Sequence, residues 1–580
     1  MRSTLRITWP YLWRYRRGLG WGFGALLLKD LTAAALPLTI KAGIDSLTEG
    51  FHLRAVFWFA ALLVGISAIK GFFQYWMRVI IISISRDIEY DLRNDLFRHL
   101  TRLSSGFYSR HRTGDIMARA TNDLNAVRMM FGPGIMYWTE TSLTFGMALI
   151  VMLAIDWRLT LMALSPAPLV SIAVVFFGRR IHDRFEVIQG LFSDISSRVQ
   201  ENLAGVRVIR AYVQEDSELR TFEVLNRDYI DQNIRLVRLS GVFMPLLQAL
   251  IGLTFLILLW VGGLRLMRGE LTLGTFVMFN TYLSMLIWPM IAFGWVVNLM
   301  QRGNASLKRI AEFMGEVPEI ASPASPTPLP SPFQGRIEFR SVAVRYDGTS
   351  ALSGIDLTIP AGATVAVVGH TGSGKTSLVR LVSRLMDPSE GAVLLDGVDA
   401  REFSPADVRS VIGMVPQETF LFSATLAENI AFGVKEATEE QIRHAADLAG
   451  LTTDIEAFPE GFQTMVGERG ITLSGGQKQR TAIARAILRN PKILILDDAL
   501  SSVDTVTEER ILTGLGRVMH GRTTILISHR ISTVRQADRI YVLDAGRIVE
   551  QGTHSELIEL GGYYAELYQR QLLEEELEAI

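Results

Sequence analysis

The sequence predicts two parts of unlike physics: an α-helical, membrane-spanning part at 1–315 and an α/β part at 336–580, joined by a linker at 316–335. Three observations predict this. Long apolar runs alternate with charged runs up to about residue 315. EVPEIASPASPTPLPSPFQG (316–335) is too rich in proline and serine for a helix or a central strand, and reads as semi-extended. Beyond it, strand-like and helix-like segments alternate, starting around a glycine-rich loop.

At 580 residues the chain exceeds one compact domain. A net charge of -1 gives no global attraction to nucleic acid. The absence of cysteine excludes disulfides, thiolate chemistry and Cys-ligated metals. MRSTLRITWPYLWRYRRG, at the start, has basic residues but no short apolar core with a cleavage site, so no signal peptide is expected.

A bilayer core takes roughly 20 apolar residues of helix. Six runs qualify, near 20–42, 57–83, 133–155, 157–178, 243–266 and 271–300. LTFLILLWVGGL (253–264) is apolar on every face, whereas a soluble bundle would show stripes. Arginines orient the spans. Arg14, Arg16 and Arg17, then the segments carrying Arg86 to Arg119 and Arg179 to Arg235, belong in the cytoplasm. Arg265 and Arg268 run against that bias. The two long cytoplasmic connections keep helical patterning, as in RDIEYDLRNDLFRHL (86–100), and should project well beyond the bilayer.

Charges within a span are functional candidates. Lys29 and Asp30 lie in the first span and Glu140 in the third, as candidate substrate-pathway residues or as a structural pair that sets helix rotation. Neighbours on a helix diverge by about 100°, so Lys29 and Asp30 should not readily face each other, and Glu140 is one candidate partner for Lys29. Pro289 should kink the sixth span.

TVAVVGHTGSGKTSLVRLV (364–382) reads as strand, loop and helix start. Gly369, Gly374, Lys375 and Thr376 fit G-x-x-x-x-G-K-[ST], with His370, Thr371, Gly372 and Ser373 inside the loop and Ser377 after it. Glycines let backbone N–H groups curl around phosphate oxygens, and the helix start adds positive partial charge. Lys375 would reach the phosphates and Thr376 would hold Mg²⁺. ILILDD (493–498) reads as a buried strand ending in two acids; Asp497 is placed to hold Mg²⁺, directly or through water.

LSGGQKQR (473–480), taken with these two motifs, resembles the ATP-binding cassette (ABC) ATPases, and the whole chain resembles an exporter-type half-transporter of the type IV fold. The resemblance implies ATP and Mg²⁺ as cofactors, a second half-transporter chain as partner, no nucleic acid, and a bacterial inner membrane with the cassette in the cytoplasm. It implies alternating access and export of a hydrophobic or amphipathic drug, lipid or peptide. FYSRHRTGDIMARATND (107–123) is similar to the family's first coupling segment. The resemblance further implies that Tyr346 stacks on adenine and that Gln417 touches Mg²⁺. Ser474, Gly475, Gly476 and Gln477 would contact ATP held by the partner. Asp504 would cross the dimer interface, His529 would act near the γ-phosphate, and Gly467 to Gly470, with Glu468 and Arg469, would meet the coupling helices.

Asp498 departs from the pattern, standing where the family carries a catalytic glutamate. The side chain is shorter by one C–C bond, about 1.5 Å. A base withdrawn that far from the attacking water can lose on the order of 100-fold in rate. The expectation is slow hydrolysis at the chain's own site, beside an intact LSGGQ that completes a faster site on a heterodimeric partner. A homodimer with two slow sites, and an ATP-gated channel or sensor, are the alternatives.

Overall fold

The computed structural model describes residues 2–50, 52–346, 348–467, 470, 473–501 and 505–578. Asp504, Glu468 and Arg469 lie outside the described residues. The chain divides into two compact units, Met1–Thr101 with Arg112–Glu316, and Arg102–His111 with Val317–Ile580.

The first unit is helical: α1 (Arg2–Arg14), α2 (Arg16–Glu49), α3 (Leu53–Leu100), α4 (Ile135–Ala163), α5 (Ala167–Ala204), α6 (Glu215–Ile257) and α7 (Leu273–Gly315) carry its length. At 1.5 Å per residue α3 is about 70 Å long, against roughly 30 Å of hydrocarbon. Among the described residues five stretches are long and apolar enough to cross a membrane: Arg16–Glu49, Leu53–Leu100, Thr113–Ala163, Glu215–Met267 and Leu273–Gly315. The fourth run expected at 157–178 is divided. Its first residues end α4, a turn follows at 164–166, and α5 resumes at Ala167. Pro166 explains the break, since its ring clashes with the preceding helical turn while its fixed φ suits a helix start.

Lys29 and Asp30 do meet: Lys29 Nζ lies 2.7 Å from Asp30 Oδ1 and 2.6 Å from Glu140 Oε1. The helical 100° separates Cβ directions, but the four-carbon lysine stem curls back beside its neighbour and still reaches α4. Arg265 tolerates the non-cytoplasmic side because Asp156 and Glu270 both pair with it. Asp156 is available because the α4 backbone is non-helical there (φ -152, ψ 97). α7 continues through Pro289.

The second unit holds two sheets. β1 (Ile337–Tyr346), β2 (Thr349–Ile359), β4 (Glu390–Leu395) and β5 (Val398–Asp399) form an antiparallel sheet in the order β2-β1-β4-β5. β3 (Thr364–Val368), β6 (Ile412–Val415), β7 (Ile493–Asp497), β8 (Thr523–Ile527), β9 (Arg539–Asp544) and β10 (Arg547–Gly552) form the other, in the order β10-β9-β3-β8-β7-β6. β9, β3, β8, β7 and β6 run parallel. Such strands are covered on both faces and so read as unbroken apolar runs. Val365 and Val367 enter one core while Ala366 and Val368 enter the other, as strand alternation requires.

The proline-rich stretch is docked within this unit. The Thr327 N–H donates to Glu402 O, the Ala321 carbonyl accepts from Arg384, and the Gln334 and Arg336 N–H groups donate to Asp396. Glu319 accepts from Ser104 Oγ at 2.7 Å and Arg110 at 3.2 Å, residues of the 102–111 segment.

Candidate nucleotide site

In open parallel sheets, ligands gather beyond the carboxyl ends of the strands. β3, β8, β7 and β6 are neighbours here. The glycine loop follows β3, His529 follows β8, Asp497 ends β7, and Gln417 follows β6. These segments line one cavity of about 290 Å³ with Thr371, Gly372, Gly374, Lys375, Thr376, Ser377, Gln417, Asp497, Asp498 and His529. Tyr346, at the end of β1, also lines it; the residue is 44% exposed and its hydroxyl lies 3.3 Å from Ser377 Oγ. Ala351 and Ile527 also line it, and no motif marks them.

The loop's glycines have steric causes. Gly369, Gly372 and Gly374 take φ of 150, 84 and 105. A Cβ on Gly369 would stand 2.0 Å from Leu543 O, and one on Gly374 2.6 Å from Ala351 O. The chain then enters α8 (Lys375–Val382), which presents its first N–H groups to the loop. Within the loop, Lys375 Nζ donates to Gly369 O at 2.8 Å and His370 O at 2.7 Å. Ser373 Oγ is buried and has no hydrogen-bond partner among the described residues.

Asp497 is 1% exposed. Thr376 Oγ1 donates to its Oδ1 at 3.4 Å, and its Oδ2 has no hydrogen-bond partner among the described residues. Burial pushes the Asp497 carboxyl up from its usual range and the Lys375 ammonium down. A buried carboxylate with a free oxygen beside a hydroxyl is a donor set that fits Mg²⁺.

Asp498 stands at φ 51, a region that aspartate tolerates better than most residues. Both of its backbone groups are held. Its N–H donates to Ile527 O at 2.8 Å, and its carbonyl accepts from Ser501 Oγ at 3.1 Å.

The LSGGQ residues sit elsewhere and line no part of this cavity. Ser474 caps α9 (Gly475–Leu488) in a capping box: its hydroxyl accepts from the Gln477 N–H, and Gln477 Oε1 accepts from the Ser474 N–H at 2.9 Å. The Gln477 amide also donates to Asp454 at 2.9 Å, and Arg480 pairs with the same carboxylate at 2.8 Å. Sequence reasoning missed Asp454, because it belongs to no motif and meets α9 only through folding.

The model of the ABC transporter transmembrane region matches residues 19–290, and that of the ABC transporter family matches residues 352–501. The chain is 39% identical to a probable multidrug resistance ABC transporter ATP-binding/permease protein, YheI, of Bacillus subtilis, over 96% of this chain and 97% of that protein. It is 36% identical to the multidrug resistance-like ATP-binding protein MdlA of Escherichia coli (100% and 98%). It is 35% identical to an ATP-dependent lipid A-core flippase of Syntrophus aciditrophicus (95% and 92%). A bacterial Atm1-family ABC exporter, solved with ATP bound, superposes with a TM-score of 0.78 at 29% identity, over 96% of this chain and 98% of that one. The chain therefore belongs to the ABC transporters, as a membrane-spanning, ATP-hydrolysing exporter that carries its transmembrane region and its ATPase on one polypeptide.

Proposed function

We propose that this chain is one half of a dimeric exporter that moves a hydrophobic or amphipathic drug, lipid or peptide by alternating access, and that its own ATP site turns over slowly. The convergence of Lys375, Thr376, Gln417, Asp497, Asp498 and His529 on one cavity carries the nucleotide reading. The multidrug and lipid-flippase relatives support the substrate class.

Tyr346 offers a face to adenine. Gly369 to Ser377 cradle the phosphates with backbone N–H groups, and Lys375 exchanges loop carbonyls for phosphate oxygens. Thr376 and Asp497, with Gln417, would hold Mg²⁺, which when bound draws charge from the phosphates. His529 acts at the terminal phosphate. Asp498 orients the attacking water from further back than a glutamate would. Its backbone is tied on both sides, to Ile527 and Ser501, which opposes a shift that would make up the missing methylene.

Ser474, Gly475, Gly476 and Gln477 serve ATP held by a second chain. A hydroxyl and the first N–H groups of a helix suit an anion. We favour a heterodimer in which a partner carrying glutamate supplies the faster site; a homodimer with two slow sites fits the same geometry. The test is ATPase of this chain alone and with candidate partners. Robust turnover by the lone chain, unchanged by Asp498→Glu, would sink the slow-site reading.

A further inference from the structure

We propose that Gln571 is a positioning residue for ATP hydrolysis, holding the His529 loop from α11 (Tyr563–Glu578). This rests on the reading of His529 as a group that acts at the terminal phosphate.

The loop after β8 is gripped from two sides. Glu508 of α10 (Thr505–Met519), 2% exposed, accepts from Arg530, from Ser532 Oγ at 3.3 Å and from Thr533 Oγ1 at 2.6 Å. That fixes the residues after the histidine. Gln571 reaches the histidine itself: its Nε2 donates to the His529 carbonyl, and its Oε1 accepts from the Ile531 N–H at 2.7 Å. One planar amide thus bridges the two consecutive peptide groups that flank Arg530 and sets the path of the chain there. This needs one donor and one acceptor at a fixed separation, which glutamine has, glutamate half has and leucine lacks.

The position of Gln571 is itself determined. Glu550 caps the start of α11, accepting from the Tyr563 N–H at 2.5 Å and the Tyr564 N–H at 3.1 Å. Tyr564 is fully buried, with its hydroxyl 2.9 Å from His554 Nδ1. Eight residues before Gln571, about 12 Å along the helix, the Tyr563 ring meets the His370 imidazole of the phosphate loop edge-on, with centroids 4.7 Å apart. One helix therefore touches both the loop that holds the phosphates and the loop that carries the histidine. A displaced α11 would misplace His529 relative to the phosphates without removing any group that binds nucleotide.

The test uses the full-length transporter carrying Asp498→Glu, so that this chain's site runs at its highest rate. ATPase kinetics are compared for Gln571→Leu, Gln571→Glu, His529→Ala and the pair His529→Ala/Gln571→Leu. Gln571→Leu is expected to cut kcat about tenfold with KM for ATP within about twofold, the signature of an interaction used in the chemical step. Gln571→Glu should fall between Gln571→Leu and the parent. The double variant should be no slower than His529→Ala alone, because a residue that acts through the histidine has nothing left to position. A multiplicative loss in the double variant, or a KM that rises as kcat falls, would overturn the proposal. If His529→Ala retains the full rate, the histidine reading fails and Gln571 falls with it. If His529→Ala loses rate and Gln571→Leu does not, Gln571 alone fails.

Discussion

Lys29 Nζ lies 2.6 Å from Glu140 Oε1 and 2.7 Å from Asp30 Oδ1, so one ammonium in the first span serves two carboxylates from two helices. The Lys29 side chain is 5% exposed and that of Asp30 1%. Removing the shared cation leaves a buried Asp30 and a partly buried Glu140 without their counter-charge, and breaking a buried pair typically costs about 3–5 kcal/mol. Lys29→Met should therefore lower the thermal stability of the detergent-solubilised transporter and impair transport, while ATP binding to the cassette persists. Lys29→Met/Asp30→Asn/Glu140→Gln should recover most of the stability. A Lys29→Met protein with parental melting and transport would remove any role for the cluster.

Asp497 carries a charge that burial disfavours. Asp497→Asn should leave melting without nucleotide unchanged or higher, abolish ATPase, and remove the stabilisation that Mg²⁺ and ATP add. The pH dependence follows in sign. A carboxyl raised above its usual range takes up a proton at higher pH than an ordinary aspartate, so Mg²⁺-dependent ATP binding should begin to weaken earlier on acidification. Titrating ATP affinity from neutral to acid pH with Mg²⁺ present checks this, and a decline no earlier than ordinary carboxylates show would contradict it.

On the proposed reading of Asp498 as the group that orients the attacking water, Asp498→Glu extends that group by one C–C bond. ATPase at the chain's own site should rise, by about 10- to 100-fold on the argument from reach. KM for ATP should change little, since Asp498 holds no phosphate in this reading. Single-turnover hydrolysis compared between parent and variant decides it.

Asp454 orients the start of α9 through Gln477 and Arg480. Asp454→Ala leaves both groups without that acceptor, and an unsatisfied group of this kind costs about 1–3 kcal/mol. The variant should lower ATPase by loosening the signature, with ATP affinity of this chain's own phosphate loop retained. Equal loss of binding and turnover would instead indicate general damage to the cassette.

The strand, glycine loop and helix start were legible in advance because they depend on local sequence. Strand, glycine loop and helix start are contiguous from Thr364 to Val382, and the glycines answer to backbone conformations that side chains resist. The buried strand before Asp497 was legible for a similar reason, as a parallel strand shows its burial in an unbroken apolar run. The path of the fourth span was less legible. Hydropathy averages over 157–178 and does not show that Pro166 divides the helix. Lys29 and Asp30 were misjudged because a helical wheel places Cβ atoms and ignores how far a lysine reaches.

By itself the sequence determined which residue types could cradle a phosphate, which runs could lie in lipid, and that an aspartate, Asp498, follows the apolar ILILD strand; each depends on neighbours along the chain. Tertiary structure alone decided which groups meet. Strand order β3-β8-β7-β6 gathered Lys375, His529, Asp497 and Gln417 around one cavity from positions far apart in the chain. Folding also brought Asp454 to α9 and Gln571 to the His529 loop. These contacts obey no periodicity and form no motif, because they arise only when separate elements pack and each polar group must find a partner.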